Sequence, residues 1–126
     1  MGRGHLKREA RVAYIEAVPK GRVFLVAIVF RGCWIDGIMI REGYEAAREV
    51  EAWLAGSDYF EELSGIALGL EMINVLGAGG VRDVEEWAES KGKTILPLGA
   101  RNRHQAQVII DGVKQALWVE RLKSPN

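Results

Sequence analysis

The stretch RVAYIEAVPKGRVFLVAIVFRGCWIDGIMIRE, residues 11–42, decides the fold. Its segments 11–18 and 22–32 are rich in Val, Ile, Phe and Tyr, which pack well on a pleated surface, and PKG at 19–21 punctuates them. A second short link, GCWIDG at 32–37, leads into IMIRE at 38–42. Three strands joined by such short links predict an antiparallel meander, because a parallel neighbour would need a long crossover.

Working outward, the apolar period lengthens after Tyr44. Ala47, Val50, Trp53 and Leu54 recur at helical spacing among Glu45, Arg48, Glu49 and Glu51, predicting a helix over 44–55. GSDYFEELSG at 56–65 has room for one short helical turn, and IALGLEM at 66–72 reads as a strand buried on both faces. A second helix is predicted over 80–91, with Val81, Val84, Trp87 and Ala88 as its inner stripe and Gly92 as its stop. TILPL at 94–98 reads as a fifth strand, and 102–122 as a last helix interrupted at Gly112. The order β-β-β-α-β-α-β-α, with right-handed crossovers, predicts an α/β protein with a mixed five-stranded sheet and helices packed on it. By element order this is similar to the ribonuclease H-like fold, with the first strand central and the fourth parallel beside it.

The 126 residues fit a single domain over 1–126, with residues 1–10 expected to be a flexible leading segment. Its 17 basic and 17 acidic side chains cancel, so any nucleic-acid contact depends on a local patch and not on a global field. One cysteine, Cys33, excludes an internal disulfide, and no Cys/His spacing suits zinc. No apolar run is long enough to span a bilayer, and the N-terminus lacks a signal-peptide pattern, so no membrane partner and a cytoplasmic location are expected.

Two carboxylates interrupt apolar runs. Glu16 falls near the end of the first strand and Glu71 near the end expected for the fourth, while Glu42 closes the third strand and Glu45 opens the helix after it. In parallel sheets ligands bind beyond the carboxyl ends of the strands, so these acids form a candidate catalytic group, with Glu16 and Glu71 as candidate metal ligands. An acidic cluster of this kind holds Mg²⁺, with Mn²⁺ as a substitute, and serves phosphodiester hydrolysis. The plainer reading of any single Glu is that the strand has reached water, or that a helix start favours negative charge. An unpaired carboxylate inside a sheet is costlier to explain away.

Several segments together resemble an archaeal family of endonuclease-dU-like proteins, itself related to endonuclease V. The matching pieces are RVAYIEA, LVAIVFRGCWIDGIMI, REGYEAAREVEAWL, LGLEMINVLGAGGVRDVEEW and KTILPL, in family order across most of residues 11–98. The resemblance implies a ribonuclease H-like domain acting on DNA or RNA, and the family name points to deaminated bases. This sequence departs from it by carrying Glu16, Glu42 with Glu45, and Glu71 where the family usually has Asp, Met72 where it has Gly, and a shorter C-terminal part. Those departures imply a displaced or lost metal site and bring in the alternative of a non-catalytic module that binds nucleic acid or protein.

The remaining candidates are substrate-binding. Asn74 follows Glu71, Arg101, Arg103 and His104 lie beyond the fifth strand, and Lys20 sits in the link after the first. Basic side chains there would meet backbone phosphates, although exposed Arg and Lys also serve solubility alone. GAGG at 77–80 reads as a close-packed turn before the second helix rather than a phosphate loop, since it lacks Lys-Ser/Thr. Trp53, Trp87 and Trp118 lie on apolar helical stripes, which leaves Trp34 as the one tryptophan to weigh for base stacking. The stripe Val108, Ile109, Val113, Leu117, Trp118 and Leu122 on the last helix is a candidate homodimer contact.

Overall fold

A computed structural model describes residues 10–20, 22–32, 34–43, 46–96 and 103–123, without the side chains of Lys20, Arg103 and 117–123. Strands β1 (Arg11–Lys20), β2 (Arg22–Arg31) and β3 (Trp34–Glu42) are followed by helix α1 (Ala47–Ala55) and a 3₁₀ turn at Phe60–Glu62. Then come β4 (Leu63–Leu68), α2 (Leu70–Ser90), β5 (Thr94–Leu96) and α3 (Arg103–Lys123). The sheet order is β3-β2-β1-β4-β5. β1 is antiparallel to β2 and β2 to β3, whereas β4 is parallel to both β1 and β5. The expected mixed five-stranded sheet, with its first strand central and its fourth parallel beside it, is present.

Centrality explains the unbroken burial of β1 from Val12 to Val18, because both of its faces are covered. Ala13, Ile15 and Ala17 join Leu25, Ala27, Val29, Ile66 and Leu68 under Val50 and Leu54 of α1 and Met72, Val84 and Ala88 of α2. Tyr14 and Val18 face the other way, with Val26, Ile28, Phe30 and Ala67, beneath Ala106 and Ile110 of α3. Alternation along β1 therefore assigns Glu16 to the α3 side.

Two turns depend on backbone chemistry. Gly32 takes φ 62 after β2, a left-handed conformation that glycine adopts without a Cβ penalty. One register step later Val29 faces Gly37 while Phe30 faces Ile35, so Asp36 is an extra residue in β3. The bulge turns its carboxylate onto Arg11 at 2.7 Å. Trp53 and Trp87 pack partly buried against the core, and the Trp87 ring stacks on Phe60 at 5.2 Å between centroids. These two tryptophans behave as the helical stripes predicted. Ile109 and Val113 of the α3 stripe also pack inward, while Val108 stays exposed, and the side chains of Leu117, Trp118 and Leu122 lie outside the described residues.

β1 runs on to Lys20 and β3 starts at Trp34, not at 38, and the largest differences from the sequence expectation surround β4. The fourth strand covers Leu63–Leu68, not 66–72, and α2 starts at Leu70, not near 80. The apolar run IALGLEM is half strand and half helix, and periodicity over so few residues does not separate the two. Gly77, at φ 76 and ψ 165, breaks α2 into two segments, so GAGG does begin with a break before the second segment, the helix expected over 80–91, while its other three residues are helical. Gly112 does not interrupt α3, since an exposed glycine costs a helix only about 1 kcal/mol and leaves its hydrogen bonds intact.

Candidate functional site

The site begins with a crossover too short to be a loop. β4 ends at Leu68, Gly69 donates its N–H to Ile15 O at 2.8 Å, and α2 begins at the next residue. The first turn of α2 therefore lies against β1 at the rim, and its free N–H groups need acceptors. No side chain of the N-cap residue itself supplies one, because that residue is Gly69. Glu16 does: its Oε1 accepts from Met72 N at 3.1 Å and from Ala17 N at 3.0 Å. A carboxylate from the neighbouring strand caps the helix, where the macrodipole also favours negative charge.

Gly69 is required for this contact. A Cβ built there would lie within 2.7 Å of Oε1, Oε2 and Cδ of Glu16. Its φ of −81 suits any residue, so the demand is for space and not for backbone freedom.

Glu16 is 6% exposed. Burial raises its pKa above the ordinary value, the N–H groups of Ala17 and Met72 oppose that rise, and the nearby charge of Glu71 adds to it. Between the ordinary 4.5 and the raised value, the folded protein keeps a proton that the unfolded chain releases. This contribution to stability is full below 4.5 and is lost as pH rises through the folded pKa. With divalent cations chelated, Glu16→Gln is expected to gain on the wild type in unfolding free energy as pH is raised from about 4 to about 7. A difference that stays flat in urea titrations across that range would contradict the assignment.

Glu71 occupies the first turn of α2, not a strand end, and its Oε1 accepts from Asn74 Nδ2 at 3.2 Å. Glu16 and Glu71 nevertheless meet: both line one cavity of ≈ 190 Å³ with Tyr14, Leu70, Gln107, Ile110 and Lys114. Its walls are the α3 side of β1, the start of α2 and one face of α3. Asn74 adjoins it through Glu71 but does not line it.

The other candidates fall elsewhere. Glu42 pairs with Arg22 and stands in register with Phe24, which faces Val18, so two strand spacings, about 10 Å, separate it from β1. Its expected place in the acidic group is corrected on that ground: the third strand is an edge, remote from β4. Glu45 and Arg101 lie outside the described residues, as do the side chains of Lys20 and Arg103. His104 is exposed in the first turn of α3 and does not line the cavity. Trp34 is 75% exposed and shares a row with Arg31 and Arg11, five residues and about 16 Å along β1 from Glu16. Tyr14, Gln107 and Lys114 were not anticipated. The available signals were Tyr14 two residues before Glu16 on the same strand face, and the spacing of Gln107, Ile110 and Lys114 along one helical face.

Among the described residues no group of three or more His, Cys, Asp or Glu side chains is gathered as a metal cage, and no helix is long and apolar enough to cross a membrane. No protein-family model matches the chain, and neither does any curated protein. A crystal structure of a protein of unknown function from Archaeoglobus fulgidus DSM 4304 is similar at 21% identity and TM-score 0.41, over 46% of this chain. The match spans 36% of that longer protein.

Proposed function

We propose that this chain is a nuclease-like protein that engages DNA or RNA and hydrolyses a phosphodiester, with deaminated bases as the favoured context. The observation that supports the reading is the convergence of Glu16 and Glu71 on one cavity at the carboxyl end of β4, beside its parallel neighbour β1. The sheet order agrees with the ribonuclease H-like resemblance of the sequence.

The donor set fits Mg²⁺, which takes one or two carboxylates and completes its octahedron with water and phosphate oxygens. Mn²⁺ is served equally, whereas tetrahedral zinc and the larger calcium shell ask for more protein donors. Glu71 and the second oxygen of Glu16 would hold the ion. When bound, it would orient the phosphate and lower the pKa of an attacking water. The chain itself contributes two carboxylates whose repulsion a cation relieves, and a cavity with room for several water molecules beside the phosphate.

The test uses labelled uracil- and inosine-containing oligonucleotides with Mg²⁺ or Mn²⁺. Wild type is expected to cleave, and Glu71→Gln, a partly exposed and nearly isosteric change, to cleave about a hundredfold more slowly. Absence of cleavage by the wild type rejects the enzyme reading, and cleavage undiminished by Glu71→Gln rejects the site. One observation favours a second reading. Glu16 Oε1 is already committed to two backbone amides, as expected of a structural cap in a non-catalytic module that binds nucleic acid or protein. Oligonucleotide binding without cleavage selects that alternative.

A further inference from the structure

α3 contributes more than a cover to the cavity. Gln107, Ile110 and Lys114 recur at intervals of three and four, so they share one helical face, and all three line the cavity opposite Glu16 and Glu71. Asp111 ties the two polar members together: Gln107 Nε2 donates to Asp111 Oδ1 at 3.0 Å, and Lys114 Nζ stands 4.0 Å from the same oxygen. At that separation Asp111 makes no hydrogen bond to the ammonium, whose protons stay available to a closer acceptor.

The cavity thus has one wall of carboxylates and an opposite wall bearing an ammonium. Lys114 offsets part of the pull of the two glutamates on a bare cation, and the glutamates repel a bare anion. The ligand satisfying both walls carries its own charge separation, an anionic group accompanied by a divalent cation. Building on the nucleic-acid reading of the site above, we propose that Lys114 is the positioning residue that holds the phosphate next to the reacting one, as a point charge on the α3 wall of the cavity.

The experiment measures binding of a fluorescein-labelled, uracil-containing single strand to the full chain in Mg²⁺ by anisotropy over a salt series, together with steady-state cleavage. Lys114→Ala is expected to weaken binding about tenfold at low salt and to flatten the slope of log affinity against log salt by about 0.7, the share of one phosphate contact. KM should rise by about the same factor while kcat changes less than about threefold, as uniform binding energy is removed. Lys114→Arg should restore most of the affinity. Lys91→Ala, at the far end of α2, should leave the slope unchanged.

Equal slopes for wild type and Lys114→Ala overturn the assignment while leaving the acidic pair standing, as does a kcat loss without a KM change. A wild type that binds no oligonucleotide at low salt overturns both this inference and the reading on which it rests. Matching far-UV spectra and urea midpoints for the variants exclude misfolding as the cause, since Lys114 is partly exposed and its removal opens no core.

Discussion

Gly69→Ala is expected to lower the unfolding free energy by about 3 kcal/mol, a large effect for one added methyl group. The new Cβ would overlap all three atoms of the Glu16 carboxyl group. The carboxylate cannot retreat by a small rotamer change without giving up the amides of Ala17 and Met72. The backbone cannot retreat either, because Gly69 N–H is bonded to Ile15 O and anchors the β1–β4 pairing. Urea denaturation checks the magnitude. In a Glu16→Ala background the same substitution should cost well under 1 kcal/mol, since the overlapping group is gone and contacting residues couple in such cycles. Equal costs in the two backgrounds would show that the strain lies elsewhere.

Glu16→Ala is expected to cost about 2 kcal/mol by itself, whereas Glu16→Gln should cost about 1 kcal/mol. Truncation leaves the N–H of Ala17 without its acceptor at a buried rim, an orphan that costs about 1–3 kcal/mol, while Met72 N–H loses one of two acceptors and keeps Gly69 O at 3.1 Å. Relief of the buried charge, whose pKa is raised by desolvation, returns part of that. Glutamine keeps an acceptor oxygen in place, so the gap between the two variants isolates the cap from the charge. Hydrogen exchange adds a local readout: the amide of Met72 should lose protection in Glu16→Ala more than amides of Val84 or Ala88 in the second segment of α2. Uniform loss along the whole helix would argue for global destabilisation and against a cap.

The sheet was legible because its signals are local. RVAYIEAV and RVFLVAIVF are too apolar and β-branched for exposed elements, and their short links admit few pairings. The helix start at Leu70 was not legible. Its cap is supplied by Glu16, a hydrogen bond between residues 56 positions apart, and Gly69 carries none of the usual capping side chains. Without that signal Gly77, the only break in α2, looks like the entry to the helix. The same displacement hid the chemistry on α3. Glu71 was recognisable as an acid beside β1, but Gln107 and Lys114 become its neighbours only once α3 is laid over β1, which nothing in their immediate sequence announces.

The central strand also sets an order of assembly. β1 meets β2 across a tight hairpin, but its other edge waits for β4, whose partner residues begin more than fifty positions later at Leu63. During synthesis from the N-terminus the three-stranded meander has its parts at hand early, with one long edge of β1 open until the fourth strand arrives. Glu16 acquires the amide of Met72 and its acidic neighbour Glu71 only after that point, so the cavity is among the last features to mature. A nascent chain halted before Leu63 has much of its sheet and none of its chemistry.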